Sequence, residues 1–130
     1  MLQLDIVTPH RKLLSTSCDS VILPGVNGEF EVLEGHTPVL TTLKPGVLSF
    51  RHANSTVKLM VAEGFAEADN THVSVLVESA ALPEEIDIKA EQELIDKLQK
   101  ELANIKSGED VELKHMHVQI ERATAKLQIF

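Results

Sequence analysis

The sequence Leu-Pro-Glu-Glu-Ile-Asp at residues 82–87 separates two segments with different hydrophobic periods. Before it, apolar and polar residues alternate, as in Leu-Gln-Leu-Asp-Ile at residues 2–6, and this period of two is typical of β-strands. After it, apolar residues recur every three or four positions, which is a helical spacing. Pro83 is well placed just before a helix, and the acidic residues after it favour the positive end of a helix dipole. The sequence therefore predicts a β domain at residues 1–83 and a helical segment at residues 84–130.

Turn-forming residues divide the first segment into short runs of about 8–12 positions. Asn27-Gly28 and Pro45-Gly46 are clear examples, because glycine accepts positive φ angles without steric cost. Regularly spaced short strands are typical of an antiparallel sandwich or barrel, here with about 8–10 strands. The predicted fold class is α+β, an N-terminal antiparallel β-sandwich or barrel followed by a C-terminal antiparallel two-helix hairpin.

Two apolar stripes predict that hairpin. Ser107-Gly108 separates them, and glycine supplies the left-handed conformation that commonly ends a helix. Each stripe alternates spacings of three and four, so the two helices would pack along a shared seam. The predicted seam residues are Ile95, Leu98, Leu102 and Ile105 in the first helix, and Leu113, Met116, Ile120, Ala123 and Leu127 in the second.

The hairpin is predicted to need a second surface. A helix pair of roughly 45 residues lies at the lower limit of what a hydrophobic core stabilises unaided. That surface would be the β domain or another protein. An element with two docking surfaces of similar energy has the capacity to act as a switch.

Charge and composition exclude several partner classes. The 12 basic and 20 acidic residues give a formal net charge of −8, which argues against nucleic acid and against an anionic membrane surface. Cys18 is the only cysteine, so no intramolecular disulfide forms. No apolar run approaches the roughly 20 residues of a membrane helix, and the N-terminus lacks signal-peptide features. We expect a cytosolic chain without direct membrane insertion.

The histidines do not form a metal-binding pattern. His115 and His117 are two positions apart, which on a helix points them about 200° from each other. His36 follows Glu29, Glu31 and Glu34, yet the β segment lacks the His-x-His pair that metal-binding barrels usually carry. We expect no metal and no catalytic site. Two alternatives stay open, a metal-dependent barrel enzyme and a ligand-binding sandwich whose hairpin dimerises it.

A basic stripe follows one side of the second predicted helix, formed by Lys114, Arg122 and Lys126. Such a stripe is either a solvated helix face or an edge that meets an acidic partner, with small energies where the charges stay exposed.

Residues 23–46 resemble the signature stretch of the epsilon subunits of F-type ATP synthases. That family typically reads G-E-x-G-I-L-P-G-H-x-P-L-L-T-x-L-x-P-G, and this chain has Glu31 where the family has Gly and Glu34 where it has Pro. Residues 4–9, 62–67 and 73–76 also resemble the family, so the similarity covers the whole chain. Without a transit peptide, a bacterial chain is favoured over the mitochondrial homologue, delta.

The resemblance implies a non-catalytic central-stalk subunit at the cytoplasmic face of the bacterial inner membrane, as a peripheral part of the synthase. The β domain would bind the gamma subunit and the c-subunit ring, coupling their rotation to ATP synthesis. The hairpin would be folded against the β domain or extended beside gamma, and the extended form would inhibit ATP hydrolysis.

The resemblance also implies residue roles. Glu29, Glu31 and His36 match the loop that would face the c ring. Lys114, Arg122 and Lys126 would transiently meet acidic surfaces of the alpha and beta subunits in the catalytic head.

Some family members bind ATP at the hairpin through the motif I-D-x-x-R-A. Here residues 86–91 read I-D-I-K-A-E, with Ala90 in place of the arginine and Glu91 in place of the alanine. Asp87, Arg122 and Lys126 match the ligand side. Losing the arginine removes a phosphate partner and Glu91 adds repulsion, so we expect no cofactor and weak or no ATP binding.

Overall fold

The computed structural model of the chain describes residues 1–104 and 110–130. It has a β domain followed by a short 3₁₀ helix and two α-helices. The strands are Leu2–Val7 (β1), Lys12–Cys18 (β2), Ser20–Gly25 (β3), Gly28–Leu33 (β4), Val39–Leu43 (β5), Gly46–His52 (β6), Ser55–Val61 (β7), Gly64–Ala68 (β8), His72–Val77 (β9) and Ala80–Ala81 (β10). The 3₁₀ helix is Pro83–Glu85, and the α-helices are Ile88–Asn104 (α1) and Asp110–Gln128 (α2).

The strands form one hydrogen-bonded path, β10-β7-β6-β3-β5-β8-β9-β1-β2, with β4 added at the side of β3. A single residue pair, Gly25 with Leu43, joins β3 to β5, so the path turns there from one layer of the sandwich to the other. The predicted α+β fold with a β-sandwich is confirmed. Among the strand pairs formed by residues 1–104, β1 and β9 run parallel and the others are antiparallel.

The core lies between the two layers and follows the alternation seen in the sequence. In β1, Leu2, Leu4 and Ile6 are fully buried while the residues between them face outward. Leu, Val and Ala dominate the core cluster, as the scarcity of aromatic residues requires. Cys18 is buried at the end of β2, and burial raises the pKa of its thiol. This cysteine therefore behaves as a small apolar core residue.

Side-chain hydrogen bonds stabilise the segment between the last strand and α1. The Asp87 carboxylate accepts a hydrogen bond from the Ala90 amide at 3.1 Å, as an N-cap residue does. The Glu85 carboxylate accepts from the Leu82 amide at 2.9 Å and from the Arg11 guanidinium at 3.0 Å. Arg11 and that amide together lower the pKa of Glu85. The linker is thereby tied to the loop between β1 and β2.

The hairpin rests on the sheet mainly through α2. Helix α1 packs on α2, and α2 packs on β6 and β7. There Met60, Ala62 and Ala125 form a second buried cluster, so the β domain supplies the surface that the hairpin was predicted to need. Of the predicted seam residues, Leu98, Met116 and Ala123 are buried and Ile105 lies outside the described residues with Ser107-Gly108. The remaining seam residues, Ile95, Leu102, Leu113, Ile120 and Leu127, are half-buried.

Candidate interaction surfaces

An ion pair fastens α2 to the β domain. Arg122 donates from Nε to Oε1 of Glu63 at 2.9 Å, and its Nη2 lies 2.8 Å from the same oxygen. Glu63 lies between β7 and β8, next to the buried cluster beneath α2. Both side chains are about one-third exposed, so the pair is only partly screened by solvent. Charge-assisted hydrogen bonds of this kind are stronger than those between neutral groups.

A second ion pair joins the two helices of the hairpin. Lys126 in the last turn of α2 donates to Oε1 of Glu91 in the first turns of α1, at 3.0 Å. The Glu91 side chain is 14% exposed, and its Oε2 is buried without a hydrogen-bond partner among the described residues. An unpaired buried oxygen carries a desolvation cost, so this carboxylate depends on Lys126 for its compensation.

The three residues of the predicted basic stripe therefore have different environments. Lys114 is exposed, whereas Arg122 and Lys126 are half-buried and paired with carboxylates of the same chain. In this folded form the two cations are not a solvated edge. Glu91, expected only to repel a nucleotide, instead binds Lys126.

An uncovered apolar patch lies on the other layer of the sandwich. Leu40, Phe65 and Leu76 are 70%, 55% and 54% exposed and stand on β5, β8 and β9. Phe65 pairs in register with Leu76, which pairs with Val7 of β1, so the apolar side chains cross adjacent strands. A groove of about 400 Å³ adjoins them, lined by Val7, Thr8, Pro9, Gly64, Phe65, Leu76, Val77 and Glu78. We call Leu40, Phe65, Leu76 and this groove the apolar patch.

The three residues predicted for the c ring lie along the edge strand β4 and the loop after it. Glu29 and Glu31 are exposed and point to the same side of the strand, while His36 is half-buried past its far end. The His36 amide donates to the Leu33 carbonyl at 3.0 Å. The structure thus spreads the three residues along one edge of the sheet.

Glu29 also borders the hairpin. It lines a crevice of about 310 Å³ with Lys44, Glu121 and Gln128, among other residues. Because Glu121 and Gln128 belong to α2, the edge that carries Glu29 and the docked helix are neighbours. Glu31 lines a separate, smaller groove beside Ile22 and Ser49.

A Ser-Asp-His cluster on the outer face of β1, β2 and β9 is structural in its geometry. Asp5 accepts hydrogen bonds from Ser15 at 2.5 Å and from His72 at 2.6 Å. Since the carboxylate lies between the other two, the imidazole is not placed to take the serine proton, as a nucleophile requires. The bonds from Ser15 and His72 lower the pKa of Asp5 to about 2.

Replacing Asp5 is expected to change the acid stability of the chain. A lowered folded-state pKa stabilises the fold above the ordinary value of 3.8, and this contribution disappears as pH falls toward 2. We expect Asp5→Asn to reduce the free energy of unfolding by about 1 kcal/mol at pH 7, allowing for partial solvent screening. Urea unfolding between pH 7 and pH 2 measures the difference, which should vanish at the acid end. A difference independent of pH would contradict this role.

No group of three or more His, Cys, Asp or Glu side chains that could hold a metal ion is found in residues 1–104 and 110–130. Within the same ranges, no helix has the length and apolar character needed to cross a bilayer.

Glu63 and Ala125 were not identified from the sequence. The signal for Ala125 was a second stripe on α2, because Val118, Ala125 and Ile129 follow a spacing of seven and four beside the seam. Glu63 gave no local signal, since its partner Arg122 is 59 positions away.

The chain is similar to known proteins over nearly its full length. Residues 1–83 match the family model described as "ATP synthase, Delta/Epsilon chain, beta-sandwich domain". An ATP synthase epsilon chain of Geobacter sulfurreducens is 36% identical over 128 residues, covering 98% of this chain and 92% of that protein. One of Nitratidesulfovibrio vulgaris is 38% identical over 128 residues, with 98% and 94% covered.

Two solved structures share the fold. A chain in the mitochondrial ATP synthase of Euglena gracilis, solved as OSCP, F1 and c-ring, superposes with a TM-score of 0.81 at 19% identity, covering 98% of this chain and 79% of that one. A chain from the central stalk and c-ring of Tetrahymena thermophila ATP synthase gives 0.66 at 12% identity, covering 98% and 94%. The family model and the relatives, which are similar over nearly the full length, confirm the resemblance drawn from the sequence: this chain belongs to the ATP synthase epsilon chain family.

Proposed function

We propose that this chain is a non-catalytic central-stalk subunit of an F-type ATP synthase, at the cytoplasmic face of the bacterial inner membrane. One observation carries the proposal: the β domain presents three surfaces suited to protein contacts. The hairpin covers Met60 and Ala62, the apolar patch is uncovered, and the β4 edge exposes Glu29 and Glu31. This arrangement suits a subunit that connects other subunits.

The apolar patch is the surface proposed for gamma. An exposed cluster of large apolar side chains is typical of a protein interface, and the hairpin docks elsewhere. A permanent partner fits such a surface best, because its removal would expose Leu40, Phe65 and Leu76 to water. Glu67 and Glu78 lie nearby and are exposed, which favours a partner with basic residues at its rim.

The β4 edge and the following loop are proposed to face the c ring. Glu29, Glu31 and His36 occupy it, and an edge strand offers unpaired backbone groups as well as side chains. This surface combines charged side chains with the exposed Leu33, so it fits a smaller and more polar contact than the apolar patch does.

The hairpin is proposed to be the regulatory element. In the folded form Arg122 and Lys126 are bound to Glu63 and Glu91. In the extended form the same cations, with Lys114, would meet acidic surfaces of the alpha and beta subunits and inhibit ATP hydrolysis. The two sets of contacts exclude each other, which is the basis of a two-state switch.

The test combines binding with hydrolysis. The chain should be retained by immobilised gamma subunit, and failure of that pull-down would remove the stalk assignment. Truncation after Pro83 should keep gamma binding, because the apolar patch lies within residues 1–83. It should raise ATP hydrolysis of the assembled enzyme under conditions that favour the extended form. Unchanged hydrolysis there would remove the inhibitory role alone.

We also propose that the isolated chain binds ATP weakly or not at all. Asp87 is engaged as the cap of α1, and Arg122 and Lys126 are engaged by carboxylates. A nucleotide would have to displace these contacts and approach Glu91. Calorimetric titration of the full chain with Mg-ATP should show no saturable heat at micromolar concentrations, and a low-micromolar Kd would contradict the proposal.

A further inference from the structure

The two half-buried cations of α2 connect it to different parts of the molecule. Arg122 and Lys126 are four positions apart and so lie on one side of the helix. Arg122 reaches down to Glu63 of the β domain, and Lys126 reaches across to Glu91 of α1. One helix face therefore carries both the attachment to the sheet and the closure of the hairpin.

We propose that the ion pairs of Glu63 and Glu91 stabilise the folded hairpin and that the two pairs can open separately. Glu63 controls docking of α2 on the sheet, and Glu91 controls closure of α1 on α2. Their regulatory meaning rests on the proposed switch: an acidic partner surface would have to compete with both carboxylates for the cations of α2.

The Arg122–Glu63 ion pair lies beside the apolar contact between α2 and the sheet. The separate buried cluster there consists of Met60, Ala62 and Ala125, and two of the three are alanines. The two alanines bury little apolar area, so most of the area in this cluster comes from Met60. The charge-assisted contact from Arg122 to Glu63 therefore adds directly to a small apolar contact in holding α2 on the sheet.

The carboxylate of the second ion pair, Glu91, is more deeply buried than that of the first. When Lys126 leaves, the Glu91 carboxylate would be buried without any compensating charge. Leaving a largely buried carboxylate without its partner is costly, so the start of α1 must open to hydrate it. Opening at this point leaves α2 on β6 and β7, because α1 packs mainly on α2.

Hydrogen exchange of the full chain, measured by mass spectrometry, separates the two steps. Glu63→Gln should make amides in both α1 and α2 exchange roughly fivefold faster, since undocking removes the support of the whole hairpin. Glu91→Gln removes the charge that binds Lys126, so it should accelerate α1 by a similar factor and leave α2 within about twofold of the parent. Glu93→Gln, an exposed site on α1, is the matched control and should change neither helix.

A charge reversal tests whether the ion pair itself is responsible. Arg122→Glu alone should undock α2, and Glu63→Arg combined with it should restore slow exchange. Added salt should accelerate exchange of both helices in the parent chain and have a smaller effect in Glu63→Gln. Amides of β1 and β9 serve as an internal standard, showing that the β domain is folded in each variant.

Three results would overturn the inference. The first is that exchange in Glu63→Gln equals that of the parent. The second is that Glu91→Gln accelerates α2 as much as α1, and the third is that the charge reversal does not restore docking. The isolated chain is used throughout, so a failed gamma pull-down would remove the stalk assignment without affecting this result.

Discussion

Phe65→Asp is expected to weaken binding of the isolated gamma subunit at least about a hundredfold, equivalent to roughly 2.7 kcal/mol. Phe65 stands in the middle of the apolar patch, between Leu76 on β9 and Thr42 on β5. An aspartate there would lose its hydration in the complex without gaining a partner, and burying an unpaired charge is costly. In the free chain the side chain is 55% exposed, so the fold should tolerate the change.

Surface-immobilised gamma and the purified chain give the required dissociation constants. Leu33→Asp is the matched control, because Leu33 is 49% exposed on β4, outside the apolar patch. Both variants should unfold in urea at nearly the same concentration as the parent. Equal gamma affinities for Phe65→Asp and Leu33→Asp would exclude the apolar patch as the gamma surface.

Gly64→Ala is expected to destabilise the β domain by about 3 kcal/mol or more, enough to prevent folding of a marginal domain. A Cβ at this position would collide with the Leu76 carbonyl oxygen and lie 2.7 Å from the Val77 Cα. These are backbone atoms of the neighbouring strand β9, so no side-chain rotation relieves the contact. Strands β8 and β9 would have to separate at their paired residues Gly64 and Val77.

Gly28→Ala is the comparison that isolates this steric effect. Gly28 has a φ of +124°, and a Cβ added there would have no heavy atom within 4 Å, so its substitution strains the backbone in open space. We expect a loss of about 1–2 kcal/mol there, less than at Gly64. Urea unfolding monitored by far-UV circular dichroism gives both values. Similar losses at the two sites would show that close strand packing at Gly64 is not the cause.

Much of the architecture follows from short-range sequence patterns. Alternation in residues 2–6 predicts the strand that forms as β1, and the turn signal at Asn27-Gly28 joins β3 to β4. The sequence predicts a helix from residue 84; the chain forms a 3₁₀ helix at Pro83–Glu85, and Asp87 then caps α1, which begins at Ile88. Each pattern involves residues within a few positions of one another, so backbone preference and local hydrogen bonding are sufficient to encode it. The parallel pairing of β1 with β9 is different, because it joins strands from opposite ends of the domain.

The hairpin also combines features that follow from local patterns with contacts between distant residues. The change of period at residues 82–87, the two helices and the placing of Arg122 and Lys126 on one side of the second helix can all be read from local patterns. That these cations bind Glu63 and Glu91, which are 59 and 35 positions away, is seen in the folded chain alone. A helical period places side chains relative to their own axis and to nothing else. Their partners depend on which face of the sheet the helix covers, and that is decided by packing among Met60, Ala62 and Ala125.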